Sequence, residues 1–220
     1  MRHLILAAAA ALTLAGCADP VQNAVKPSAI APAAKPTMAE RAVAALPGTP
    51  PARADVPQMR WGDRKGGDGW TREVLATLEA EGVGLTSTLP TDVATFCPAY
   101  AAQPPEARRA FWAGLLSSLA KHESGWNPAA KGGGGRWLGL MQIAPATWRH
   151  YGCDGQMLDG GDNLSCAAKI MAKNVVRDNA IAGGSGGWRG VARDWMPMRS
   201  SSKRADIADW TRRQSYCSGG

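Results

Sequence analysis

Residues 104–129 read PPEARRAFWAGLLSSLAKHESGWNPA, and this stretch decides the fold. Pro104-Pro105-Glu106 opens it with residue types that suit a helix's first turn: a proline has no N–H to lose there, and an acid faces the positive end of the dipole. Trp112, Leu116, Leu119 and Glu123 then recur at spacings of four, three and four, which is one face of an α-helix. Ser124-Gly125 supplies the stop. The stripe therefore predicts a buried helix that carries a carboxylate in its last turn. Burial disfavours the charged form of a carboxyl, and the negative partial charge of a helix C-terminus pushes the same way. A glutamate kept protonated near neutral pH is what a general acid requires. A glutamate that turns to solvent or pairs with a nearby arginine is the alternative that the helix alone leaves open.

Outward from this helix the chain reads as helices punctuated by glycine. Thr71–Glu81 is amphipathic, with Val74, Leu75 and Leu78 on one side and Gly82 as its stop. Beyond the glycine-dense loop Gly132–Gly135, Pro145 starts a short helix to Tyr151. Asp162/Asn163 is expected to cap the next, whose stripe is Leu164, Ala167/Ala168, Met171 and Val175, ending by Gly183-Gly184. Lys203–Gln214 reads as the last helix. No run alternates with period two for long, and no internal repeat is visible. The expected class is mostly α.

The N-terminal part has another character. Met1-Arg2-His3 is a basic start, Leu4–Leu14 is apolar, and Leu14-Ala15-Gly16-Cys17 follows. An apolar run of that length falls well short of the roughly 20 residues a bilayer-spanning helix needs. It has the layout of a secretory signal peptide, here residues 1–16. The ending resembles a bacterial lipobox, in which Cys17 becomes the lipidated first residue. Ala18 rather than Asp after it favours the outer membrane, facing the periplasm. From Ala18 to Pro57, 12 Ala and 8 Pro fill half the positions, and no aromatic residue precedes Trp61. Such a segment cannot bury enough apolar surface to offset its ordering entropy, so residues 17–60 are expected to be a disordered, lipid-anchored tether and residues 61–220 the folded domain.

That domain holds all nine tryptophans, against three Tyr and two Phe. Tryptophan is a core residue first, and a surplus also suits a groove that stacks on sugar rings. The net charge of +7 has no Lys/Arg block behind it, which argues against nucleic acid as a partner. Cys97, Cys153, Cys166 and Cys217 remain after Cys17, an even number in an oxidising compartment. Three pairings are possible; Cys153–Cys166 is a natural local staple across a Gly/Asp-rich loop, and Cys97–Cys217 would then tie the start of the domain to its end. No Cys-x-x-Cys spacing suggests a metal. His122-Glu123 lacks the second histidine of H-E-x-x-H, since Trp126 stands there, and no glycine cluster forms a phosphate loop.

Glu123-Ser124-Gly125-Trp126-Asn127-Pro128-Ala129, followed by Gly139-Leu140-Met141-Gln142-Ile143 with Pro145 and Thr147, resembles the soluble lytic transglycosylase family. That family pairs E-S-x-x-N-P-x-A with G-L-M-Q-[IV], and Asp162-Asn163-Leu164 looks like part of its D-x-x-x-N-[IL] block. The resemblance implies a lysozyme-like helical fold that acts on peptidoglycan glycan strands without metal or organic cofactor. Glu123 would be the single catalytic acid, with Ser124, Met141 and Gln142 at the sugar groove. The implied reaction cleaves the bond between N-acetylmuramic acid and N-acetylglucosamine and leaves a 1,6-anhydromuramoyl end. Two departures stand out. The serine usual in the loop between the motifs is replaced by Lys131-Gly132-Gly133-Gly134-Gly135-Arg136, and the family's late Ala-x-x-Tyr-Asn block is replaced by a segment in which Trp195 takes the tyrosine's place. Most glycoside hydrolases need a second carboxylate. Asp154, Asp159 and Asp162 sit in one loop and read as turn and cap residues instead. Goose-type or chitinase-like hydrolysis, or a non-catalytic wall-binding module, are the rival readings.

Overall fold

The computed structural model describes residues 56–184 and 186–218, which fall in one compact unit. The expected signal peptide, Cys17 and the tether up to residue 55 lie outside the described residues.

Helix α4, Pro105–Ser124, is the axis. Every residue from Ala110 to Ala120 is buried, so the helix is enclosed on all sides rather than on one stripe. Ahead of it come α1 (Gly67–Ala80) and two short turns of helix, α2 (Val83–Ser87) and α3 (Val93–Phe96). Behind it come α5 (Pro145–His150), α6 (Gly160–Asp178) and α7 (Ser201–Arg212). Helix α1 packs on α6 and α4, and α7 packs along α4. Two antiparallel hairpins of two-residue strands, β1 (Lys131–Gly132) with β2 (Trp137–Leu138) and β3 (Gly183–Gly184) with β4 (Gly187–Trp188), and short 3-10 turns such as Gly190–Arg193 and Met196–Arg199 complete the described elements.

The buried aromatics are fastened as well as packed. Trp61 donates from Nε1 to Thr71 Oγ1 (2.8 Å), and its backbone N–H to Ser117 Oγ (3.1 Å). Trp112 donates to the Tyr100 hydroxyl (2.8 Å). Each such side chain removed from water contributes roughly 1.5–3 kcal/mol, and the bonded indole N–H avoids a desolvation cost. Packing begins ahead of the expected start at Trp61. Met59 is buried, the Gln58 carbonyl accepts from Tyr216, and Arg60 forks onto Asp206. A tether reading based on composition cannot see three residues drawn in by such partners.

Two helix starts also differ from expectation. Helix α1 begins at Gly67, behind a left-handed Gly66, and Trp70 is buried. Helix α6 is capped by Asp159, whose Oδ1 accepts from the N–H groups of Gly161 (2.8 Å) and Asp162 (3.1 Å). It ends at Asp178, before the glycines expected to stop it, with Asn179 left-handed. Asn163 is then free to brace the loop ahead of α5, accepting from Met141 N–H (2.8 Å) and donating to the carbonyls of Leu138 (3.1 Å) and Met157 (2.9 Å). Of the three cysteine pairings, the structure has Cys153–Cys166 and Cys97–Cys217.

Candidate active site

Glu123 ends α4 half-buried, with no hydrogen bond or ion pair to any described residue. Burial pushes its carboxyl up from 4.5 to about 7, against the positive charge of Lys203 in the first turn of α7. Near neutral pH the group is therefore divided between acid and carboxylate. That division suits a residue which first gives a proton and then takes one.

The neighbouring residues are tied down where Glu123 is not. Asp206, one turn along α7 from Lys203, accepts from Arg60 (2.7 and 2.9 Å), Lys121 (3.3 Å) and His122 (2.7 Å). These bonds, those from Arg60 above all, hold its carboxyl well below the usual carboxylate range. The last turn of α4 is thus pinned to α7 beside a glutamate left unpaired. The helix stops through two successive left-handed residues, Gly125 (φ 61°) and Trp126 (φ 63°). A tryptophan there is strained. It is held by its indole N–H on the Ser117 carbonyl (2.9 Å) and by the Arg64 guanidinium over its ring (4.5 Å).

The other sequence-predicted residues divide by what they expose. Gln142 is half-buried and left-handed (φ 49°), and its amide N–H groups go to the Gly139 (2.8 Å) and Ala130 (3.3 Å) carbonyls. Its donors brace the loop, and its Oε1 takes no bond from a described residue and lies against Gly132. The side chain of Ser124 bonds back to the Ala120 carbonyl (3.3 Å). Met141 corrects the expectation of a groove-lining side chain. It is fully buried, and what it offers is backbone, its carbonyl accepting from Trp195 Nε1 (3.0 Å). Leu140, Met141 and Ile143 are all buried in the core, and in this motif only Gln142, at the left-handed turn, keeps its side chain partly outside. Trp195 is nearly buried, yet it borders a cavity of about 80 Å³ with Gln142, Thr147, Asp194 and Trp137. A larger cavity, about 720 Å³ beside α6 and lined by Tyr151 and Lys173, takes in none of the predicted site residues.

Three residues at or near the site escaped the sequence reading, Trp137, Asp194 and Lys203, while Thr147 was read as part of the motif without a role. Trp137 lies two residues ahead of the Gly139–Ile143 motif and Asp194 adjoins Trp195, so motif proximity was a usable signal for both. Lys203 has none, because only the packing of α7 on α4 brings it near Glu123. Asp194 is exposed and takes a short hydrogen bond from Asn174. Among the described residues no three His, Cys, Asp or Glu side chains gather as a metal site, and no helix is long and apolar enough to cross a membrane.

A mostly helical domain built round one enclosed helix, with a half-buried carboxyl at that helix's end, is lysozyme-like architecture. The transglycosylase SLT domain family matches residues 101–184, the span from just ahead of α4 to the second hairpin. Among solved structures, the chain is similar to the wild-type form of DslA, at 31% identity and a TM-score of 0.67, covering 74% of this chain and 98% of that one. A variant of DslA with one glutamate changed to glutamine aligns at 30% identity and a TM-score of 0.65, covering 73% of this chain and 97% of that one. No curated protein matches. The chain belongs to the SLT domain family, whose members act on the peptidoglycan glycan of the bacterial envelope.

Proposed function

We propose that the protein is a lytic transglycosylase that cleaves the β-1,4 bond between N-acetylmuramic acid and N-acetylglucosamine, with Glu123 as its one catalytic residue. The observation that carries the reading is the unpaired Glu123 at the end of α4, its carboxyl raised to about 7 by burial. Protonated Glu123 gives its proton to the glycosidic oxygen as the bond to C1 breaks. The substrate's acetamido oxygen supports the positive charge that develops at C1. The carboxylate then takes the proton of the muramoyl 6-hydroxyl, whose oxygen closes on C1, and the enzyme returns to its acid form. The product is a 1,6-anhydromuramoyl end. Gln142 Oε1 and the cavity beside it fit hydroxyl and amide N–H donors of the sugar. No step calls for a metal or organic cofactor.

The test is digestion of purified sacculi with mass spectrometry of the released muropeptides. Wild-type protein should release fragments lighter by one water than lysozyme products, and Glu123→Gln should bind sacculi while losing at least about 10²–10⁴-fold in turnover. Full activity in Glu123→Gln would overturn the site. Hydrated reducing ends would favour a hydrolytic second reading, for which the exposed Asp194 carboxylate beside Gln142 is the supporting observation.

Placement belongs to the same proposal. Lipidated Cys17 would hold the protein at the outer membrane, with the Ala/Pro-rich tether letting the domain reach the wall from the periplasmic side. Wild-type protein should take up labelled palmitate and partition with membranes, and a Cys17→Ser protein that stays membrane-bound would defeat it.

A further inference from the structure

Seven of the nine tryptophans are buried or half-buried; Trp137 and Trp188 each expose 44% of their surface. Scattered exposed apolar residues are ordinary, but these two share a construction. Each stands on a hairpin of two-residue strands, directly opposite a glycine: Trp137 faces Gly132, and Trp188 faces Gly183. A glycine gives the cross-strand neighbour no side chain to cover the indole. At the first hairpin the fit is closer still, since a Cβ on Gly133 would run into the Trp137 ring. Each indole also has a guanidinium beside it, Arg136 at 5.0 Å and Arg204 at 5.5 Å from the ring centre.

Both hairpins connect to the candidate site. Trp137 borders the cavity that holds Gln142, Asp194 and Trp195. Trp188 packs by Arg204, the residue after Lys203, whose charge acts on Glu123. The segment that leaves Trp188 runs on to Trp195 in the first cavity, and Met196 next to it is 65% exposed. Of the six large hydrophobic side chains exposed among the described residues, three therefore belong to this one region.

We propose that Trp137 and Trp188 are the two stacking platforms of the glycan groove, one beside the Gln142 cavity and the other beside the start of α7, each receiving the apolar face of an N-acetylhexosamine ring. An indole offers a flat, weakly hydrated surface at little rotamer cost, and a pyranose presents its C–H groups on one face. Arg136 and Arg204, each over one side of its indole ring, leave the other side to the sugar and can donate to its acetamido carbonyl, a hydroxyl or the lactyl carboxylate. The inference rests on the glycan-cleaving reading above and adds where the strand lies.

The experiment compares wild type with Trp137→Ala, Trp188→Ala and the corresponding Phe variants. It measures the dissociation constant for chitotetraose by calorimetry, KM and kcat on peptide-stripped glycan strands, and the melting temperature. Each Ala variant should weaken binding and raise KM by about fivefold, the worth of one aromatic contact. Its kcat should stay within about twofold and its melting temperature near that of wild type, and Phe should restore most of the affinity. Wild-type affinity in either Ala variant would overturn the proposal, as would Phe variants that bind as poorly as Ala and melt early. Tryptophan-dependent binding in a protein that releases hydrated ends would support the platforms while removing the transglycosylase reading, so the two ideas fail separately.

Discussion

Glu123→Gln should make the protein more stable, and only above the pH at which a free glutamate ionises. In the folded chain the carboxyl is raised from 4.5 to about 7 because burial strips water from the charged form. The native state therefore holds its proton more tightly than the unfolded chain does, and stability falls as pH rises from about 4.5 to about 7. Above that window the group is ionised in both states and the full cost is present; well below 4.5 it is neutral in both and the cost vanishes. At 1.36 kcal/mol per pH unit the displacement corresponds to about 3 kcal/mol. Glu123 keeps some contact with water and with the field of Lys203, so about 2 kcal/mol is the expected size. Glutamine has nearly the same shape and no charge to bury. Urea denaturation of both proteins at pH 4 and pH 8 measures the difference directly, and other titrating groups cancel between them. The variant should match wild type at pH 4 and exceed it by about 2 kcal/mol at pH 8. A gap of equal size at both pH values would refute the buried, unpaired carboxylate, whatever the variant does to turnover.

Two further outcomes follow from the same geometry. Lys203→Ala removes the charge that lowers the Glu123 carboxyl, so the alkaline limb of the pH–rate profile on sacculi, which reports loss of the acid form, should move to higher pH; a limb that stays put separates Lys203 from the site. Breaking Cys97–Cys217, which closes a span of 120 residues, should cost about 5 kcal/mol in the chain-entropy picture, against about 3 for Cys153–Cys166 and its 13; equal losses in urea melts of the two double-serine variants would contradict that ordering.

The long helices were legible because their signals are local. Prolines open α4 and α5, apolar spacing marks α4 and α6, and glycine follows α4, so their existence could be read within a few residues of where they lie. Helix starts set by partners elsewhere were not. Gly67 begins α1 with Trp70 in a buried place, and Asp159 caps α6 while Asp162 accepts from the Gln156 N–H and Asn163 braces the Met141 loop. The hairpins escaped notice for a similar reason, since strands of two residues are too short to show an alternating pattern. At the candidate site, the stripe of α4 pointed to Glu123 directly. The groove residues were legible only as a motif, and the motif does not say which atoms face out: Met141 lies inside, and Gln142 spends its donors on its own loop.

What sequence could not supply is the contrast between adjacent side chains at the end of α4. His122 and Glu123 are neighbours, yet one is bound to Asp206 and the other to nothing described. Both environments come from a single helix, because Lys203 and Asp206 lie three residues apart on the same side of α7. Asp206 fixes the backbone of the last turn, and with it the position from which the Glu123 side chain projects. Lys203 acts on the carboxyl only through space, opposing the larger effect of burial without cancelling it. A direct ion pair would have placed the carboxyl below its ordinary range, as at Asp206, and left no proton to give at neutral pH. The position of α7 along α4 thus keeps Glu123 firmly placed, unpaired and close to the midpoint of its titration at once.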